Sequence, residues 1–414
     1  MSTDSGVPHL ALITPWPPQA SGIADYAFDL AIGLSRHGAG VTVFTDEPSP
    51  MPPGHGVRVR HLSEFSGPEG YDHVVYQMGN EPRFHSAMIP LLAQHGGIVH
   101  LHDLVLQHLI VFYTCSQGNQ RLYQQLLLHW YGQETLDEFL GWNSPTHKYF
   151  WDSEQVTHVP LFEPIVRFAQ GCIVHSQFAR ERVQQRLPGL ACRIIPQVYR
   201  DVELVPAPAN ARFRIGIFGS VHPIKHVDKA LRAVARAVDQ GADIELDIVG
   251  ALEGTCHALP ALADELGLAH RTTWHGRAEA ATFYDVMRSV DLCLSLRYPT
   301  MGETSAVVSR ALSMGIPTVV NNVGWYAELP SVVPKLAVDH VAMQRELDDL
   351  ILRHALDAEF HRQARLASAS YARTCLDVAQ VSAGYLKTVD ELMPARSRAS
   401  SRRRRSPPGG DVSA

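Results

Sequence analysis

The stretch 291–330, DLCLSLRYPTMGETSAVVSRALSMGIPTVVNNVGWYAELP, constrains the fold of this chain more than any other. Residues 291–296 form an apolar strand pattern, and 297–302 a polar loop holding Pro299 and Gly302. Residues 304–314 place Val307, Val308, Ala311 and Leu312 on one helical face. Gly315 stops that helix as a C-terminal cap does. Residues 316–320 form a second buried strand and 324–330 a loop. Strand, loop, helix, strand is the unit of an open parallel sheet, where ligands sit at the carboxyl ends of strands. The loop Gly302-Glu303-Thr304-Ser305 falls there. Thr304 or Ser305 can cap the helix, its N–H groups favour an anion, and Glu303 can accept from sugar hydroxyls.

The same pattern recurs along the 414 residues, a length that suggests two or three domains. Residues 9–14 and 40–45 are strands around a loop, with Ser21, Gly22, Asp25 and Tyr26 opening a helix that runs to about residue 37. Gly22 lets backbone approach a ligand closely. No G-x-G-x-x-G occurs, so the dinucleotide fingerprint is missing. Residues 71–77 and 98–101 are further strands, and Asn80, His85, His102 and Asp103 stand beyond their ends. Residues 104–166 break the alternation with aromatic-rich helices, most of whose aromatics are expected in a core. Strands at 171–175 and 193–196 close this half. Residues 202–211 are rich in Pro and Ala and read as a linker. The second half restarts with strand 213–218, then Gly219, Ser220 and Lys225, a helix over 227–238, and strands at 244–249 and 272–276, the latter ending in Gly276. Lys225 offers a point charge to a phosphate. Helices are expected at 278–289, 346–367 and 372–392.

His100 and His102 are read as facing opposite sides of their strand. With no H-E-x-x-H and no Cys/His ligand spacing, no metal site is expected. No G-x-S-x-G elbow supports a serine hydrolase. The six cysteines form no close pair and are expected reduced, which points to the cytoplasm. The first residues lack the pattern of a signal peptide, and no apolar run is long enough to span a bilayer. The formal net charge is −6, but the arginine-rich tail 396–414 carries +5 and the remainder −11. The tail is expected to be disordered, and the acidic body argues against nucleic acid as partner.

The run Ala311-Leu312-Ser313-Met314-Gly315-Ile316-Pro317-Thr318-Val319-Val320, followed by Gly324 and Glu328-Leu329, resembles the nucleotide-sugar site of group 1 retaining glycosyltransferases. That family has the GT-B fold, two Rossmann-like doubly wound α/β domains facing a cleft. The resemblance implies an acceptor-side domain over 1–200 with the helical insertion 104–166, a linker over 201–211, and a donor domain over 212–375. A helix over 376–395 would cross back to the first domain. It implies donor contacts from Gly22, Gly219, Ser220, Lys225, Gly276, Arg297, Gly302, Thr304, Ser305 and Glu328. His102 and Glu303 fall at the reacting centre, and Ser21, Asp25, Tyr26, Asn80, His85 and Asp103 on the sugar or acceptor side.

Two positions depart from the family pattern. Ser220 replaces an arginine, and Arg310 replaces the second of two glutamates. The first glutamate then falls at Gly302, or at Glu303 after a one-residue shift. The implied activity is retaining transfer from a nucleotide-diphosphate sugar to a saccharide or lipid-linked hydroxyl, without cofactor or metal, in cell-envelope polysaccharide or glycolipid synthesis. The implied place is the cytoplasm, with peripheral contact to the inner membrane. A GT-B sugar-nucleotide epimerase and a non-catalytic sugar-nucleotide-binding protein are the alternatives.

Overall fold

Alternating apolar strands and amphipathic helices build two parallel sheets in the computed structural model, which describes residues 7–19, 21–49, 55–144, 149–197, 204–206, 210–376 and 378–393. The tail 396–414 lies outside the described residues, as does most of the linker. Each half is a doubly wound α/β layer structure.

The first sheet contains β1 (His9–Ile13), β2 (Gly40–Thr45), β3 (Val57–His61), β4 (His73–Met78), β5 (Ile98–Leu101), β6 (Gly171–Val174) and β7 (Cys192–Ile194), in the order β3-β2-β1-β4-β5-β6-β7. The second contains β8 (Phe213–Phe218), β9 (Ile244–Val249), β10 (Thr272–Gly276), β11 (Leu292–Leu294), β12 (Thr318–Asn321) and β13 (Lys335–Leu336), in the order β10-β9-β8-β11-β12-β13. Their pairings are parallel. Strands β2, β5, β8, β9 and β10 keep the bounds, or nearly the bounds, that their apolar runs suggest.

The strand β3, VRVRH, was not expected. It lies on the sheet edge with its arginines exposed, so it lacks the continuous apolar run that marks the buried inner strands. The C-terminal helices also differ from expectation. There are three, His340–Leu356, Ala358–Cys375 and Val378–Leu392. Asp339 caps the first by accepting from Val341 and Ala342 N–H, and Asp357 caps the second by accepting from Phe360 N–H. A carboxylate N-cap inside what looked like one long apolar pattern divides it.

Successive residues of β1 feed opposite faces. Ala11 and Ile13 join one core with Leu104, Leu109 and Tyr123, while Leu10 and Leu12 join another with Tyr26 and Leu30. The helix Val378–Leu392 completes the second core through Val378, Tyr385, Val389 and Leu392, a stripe at helical spacing. It therefore crosses from the second half onto the first sheet. Each of those buried apolar side chains stabilises the docking by about 1.5–3 kcal/mol. In the insertion, Tyr123 and Phe150 are buried, while Phe112, Tyr113, Leu128, Leu140 and Tyr149 are exposed.

Candidate active site

The helix Gly22–Arg36 starts at the carboxyl end of β1, with Ser21 as its N-cap accepting from Ile23 N–H. A Cβ on Gly22 would meet nothing within 4 Å, so this helix start is open. Facing it, the helix Ala306–Ser313 begins after β11, with Ser305 accepting from Val308 N–H. Between the two lies a cavity of about 350 Å³. The first half contributes Ser21, Gly22, His85, His102, Asp103 and Gln197, and the second Glu303, Thr304 and Ala306. Two helix starts thus line one space, and the positive end of a helix is suited to an anion.

Glu303 is held firmly. Its Oε1 lies 2.9 Å from Arg297 Nη1. Its Oε2 accepts from Met301 N–H at 2.7 Å and from the Thr300 hydroxyl at 3.1 Å. The Tyr326 hydroxyl donates to Oε1 at 3.4 Å. This buried carboxylate raises the pKa of Arg297 against the opposing effect of burial, so the guanidinium stays charged. Asn321 Oδ1 accepts the Arg297 backbone N–H at 2.7 Å. Gly302 adopts φ +72°, and a Cβ there would fall 2.7 Å from Leu104 Cβ, so only glycine fits where the halves meet.

On the other wall, Asp103 Oδ2 accepts from Asn80 N–H at 2.8 Å. Burial pushes the Asp103 carboxyl up to about 6, against that hydrogen bond. Asn80 itself accepts from His108 and Leu109 N–H through Oδ1 and caps the helix Gln107–Tyr113. Its side chain is therefore committed to structure. Burial pushes His85 down to about 3, so the ring is neutral, and its Nδ1 has no hydrogen-bond partner among the described residues.

Other expected donor residues lie elsewhere along the carboxyl edge of the second sheet. Gly219 and exposed Ser220 follow β8, and Gly276 ends β10. Lys225 Nζ donates to Phe218 O at 2.8 Å. Burial, then the neighbouring Arg297, push its ammonium down to about 7. Lys225 does not line the cavity that holds Gly22 and Glu303. Glu328 does not line it either. Its carboxylate accepts from Gln177 and Phe178 N–H at 2.7 and 2.5 Å, at the start of the helix Gln177–Arg186 of the first half. Asp25 forms an ion pair with Arg310 at 2.9 Å, and Tyr26 is fully buried in the core.

The reading of His100 and His102 as opposite-facing is corrected. Residues two apart on a strand share a face. Their rings stack with centroids 4.6 Å apart, and His175, just beyond β6, lies 4.6 and 4.8 Å from them. All three are buried, with Tyr26 edge-on to each. His102 Nε2 is 2.6 Å from Gln77 Oε1, and its Nδ1 is 3.0 Å from His175 Nε2. His175, Gln77 and Tyr385 escaped the sequence reading. A His-Ser step directly after the strand Gly171–Val174 was the available signal for His175. Nothing local marked Tyr385, whose contacts lie nearly 300 residues away.

Comparison with known proteins agrees with this architecture. Sucrose-phosphate synthase from Thermosynechococcus elongatus shares 15% identity at a TM-score of 0.64, covering 93% of this chain and 99% of that one. WaaG, a glycosyltransferase involved in lipopolysaccharide biosynthesis, shares 14% at 0.58, covering 93% and 100%. Anabaena HepE, in complex with UDP-glucose, shares 15% at 0.57, covering 92% and 99%. No curated protein matches the sequence. The chain has the GT-B fold. Residues 212–350 match the family model described as Glycosyl transferases group 1.

Proposed function

We propose that this chain is a glycosyltransferase that moves a sugar from a nucleotide-diphosphate donor to a hydroxyl of a saccharide or lipid-linked acceptor, with retention of configuration. The observation that carries this reading is the cavity between the halves, where the helix starts at Gly22 and Ala306 converge beside Glu303 and Asp103. The leaving diphosphate needs positive potential as the glycosidic bond breaks. Helix N-termini, Lys225 and Arg297 supply it along the second sheet. Transfer on one face of the sugar needs no protein nucleophile and no metal at the diphosphate. Glu303 then orients the sugar from the cavity that His102 also lines, and Asp103 and His85 face the acceptor. The neighbour HepE in complex with UDP-glucose supports a nucleotide sugar as donor class.

A lipid-linked acceptor, work in envelope polysaccharide or glycolipid synthesis, and a cytoplasmic position against the membrane belong to the same proposal. Exposed Leu128, Leu140, Phe112 and Tyr149 on the insertion support them. Among the described residues no helix is long and apolar enough to cross a membrane.

A thermal-shift panel of nucleoside diphosphates tests the donor half of the proposal. One diphosphate is expected to raise Tm, and Lys225→Ala is expected to remove most of that rise. An unchanged shift in the variant takes Lys225 out of the site. Release of nucleotide with inverted sugar stereochemistry, without acceptor, would instead indicate an epimerase. Binding without turnover on any acceptor would indicate a binding protein.

A further inference from the structure

We propose that His100, His102 and His175 form a zinc-binding site in the core of the first half, distinct from the diphosphate site. The argument starts from the other nitrogen of each ring. His175 Nδ1 lies 2.8 Å from the Ile195 carbonyl, which can only accept, so Nδ1 carries the proton and Nε2 is a lone pair. His102 Nε2 lies 2.6 Å from Gln77 Oε1, which also only accepts, so His102 Nδ1 is a lone pair. His100 Nδ1 lies 3.2 Å from the Tyr385 hydroxyl, and its Nε2 is buried with no hydrogen-bond partner among the described residues; with the hydroxyl accepting from Nδ1–H, Nε2 is a lone pair. Each imidazole thus has an outer partner on one nitrogen, and those of His102 and His175 turn the other toward each other.

One ring nitrogen from each of the three histidines lies within 4.8 Å of the others. Two of them, His102 Nδ1 and His175 Nε2, sit 3.0 Å apart. Two lone pairs at that distance repel unless something positive stands between them. A divalent ion of the imidazole-binding class meets the requirement. At a Zn–N distance of about 2.0–2.1 Å, tetrahedral ligands stand roughly 3.4 Å apart, so a modest inward shift of His100 closes the set.

Outer carbonyl and amide partners on ligating histidines are the usual second layer of a metal site. His102 also lines the cleft cavity, which gives an ion a route in. The role is structural. Tyr385 belongs to the helix Val378–Leu392, so the ion would tie β5, β6 and that crossing helix together. This proposal does not depend on the donor reading.

Without metal, turning the Gln77 amide over and moving the His102 proton to Nδ1 relieves the conflict. The two states are therefore distinguishable. Untagged full-length protein, dialysed against chelator-treated buffer and then offered zinc alone, is expected to retain one equivalent. Its Tm should rise, and cobalt substitution should give the visible absorption of a tetrahedral site. His100→Gln and His175→Gln should each lose the equivalent while keeping the circular dichroism of the fold. Should these variants fail to fold, the wild-type cobalt spectrum and imidazole 15N NMR decide. Three metal-shifted imidazoles support the site. A His102 Nδ1–H in zinc-equilibrated protein, no retained zinc, or zinc retained by folded His100→Gln would each overturn it.

Discussion

At the scale of single residues, Glu303 and Lys225 carry opposite electrostatic problems. Glu303 is stabilised by Arg297, Thr300, Met301 N–H and Tyr326. Glu303→Gln leaves the largely buried Arg297 without its counter-charge. Breaking such a pair costs about 3 kcal/mol or more, so chemical denaturation should show that loss together with a fall in turnover. Lys225 is neutral in the free protein above about pH 7, while a diphosphate needs its ammonium. Binding then draws in a proton. The Kd for the diphosphate should rise by up to about tenfold per pH unit above that value, which isothermal titration in buffers of different ionisation enthalpy would read. A flat profile in this range would mean that Lys225 does not contact the ligand.

At the scale of elements, the site depends on where helices start. The sequence reading placed a helix at 304–314, and the structure starts it at Ala306 with Ser305 as cap. The difference leaves Gly302, Glu303 and Thr304 in a loop that can face the cleft. Ser305→Ala should cost about 1 kcal/mol and fray the helix start. Hydrogen exchange at Val308, whose N–H the cap accepts, would report it. Gly315 at φ +74° ends the same helix, as its place after Met314 implied. Such local rules made most strands and this helix legible. They failed at β3, whose apolar signal is diluted by edge arginines, and at Asp357, whose capping role divides an otherwise continuous apolar pattern.

At the scale of the whole molecule, the halves touch through few but specific contacts. Val105 N–H donates to Met301 O at 3.2 Å, Glu328 caps the helix Gln177–Arg186, and Arg310 pairs with Asp25. The Asp25 side chain is about half exposed, at 49%, so solvent screens that pair and it contributes little to stability. Glu328 matters more, because it satisfies two backbone donors across the cleft. Glu328→Ala should leave each half folded yet widen the cleft, seen as a larger radius of gyration in solution scattering, with KM for donor raised. No change in scattering or KM would show that the contact does not govern closure.

The sequence by itself determined the two parallel sheets, the positions of most strands and the loop that carries Glu303, because apolar periodicity and capping are local properties. Only the tertiary structure decided which of the expected residues share a space. Gly22, His85, His102, Asp103, Glu303 and Thr304 converge, whereas Glu328 bridges the halves and Asn80 caps a helix. It also brought His175 and Tyr385 to His100 and His102. Such meetings depend on strand order and on the docking of distant helices, which no short window of residues encodes.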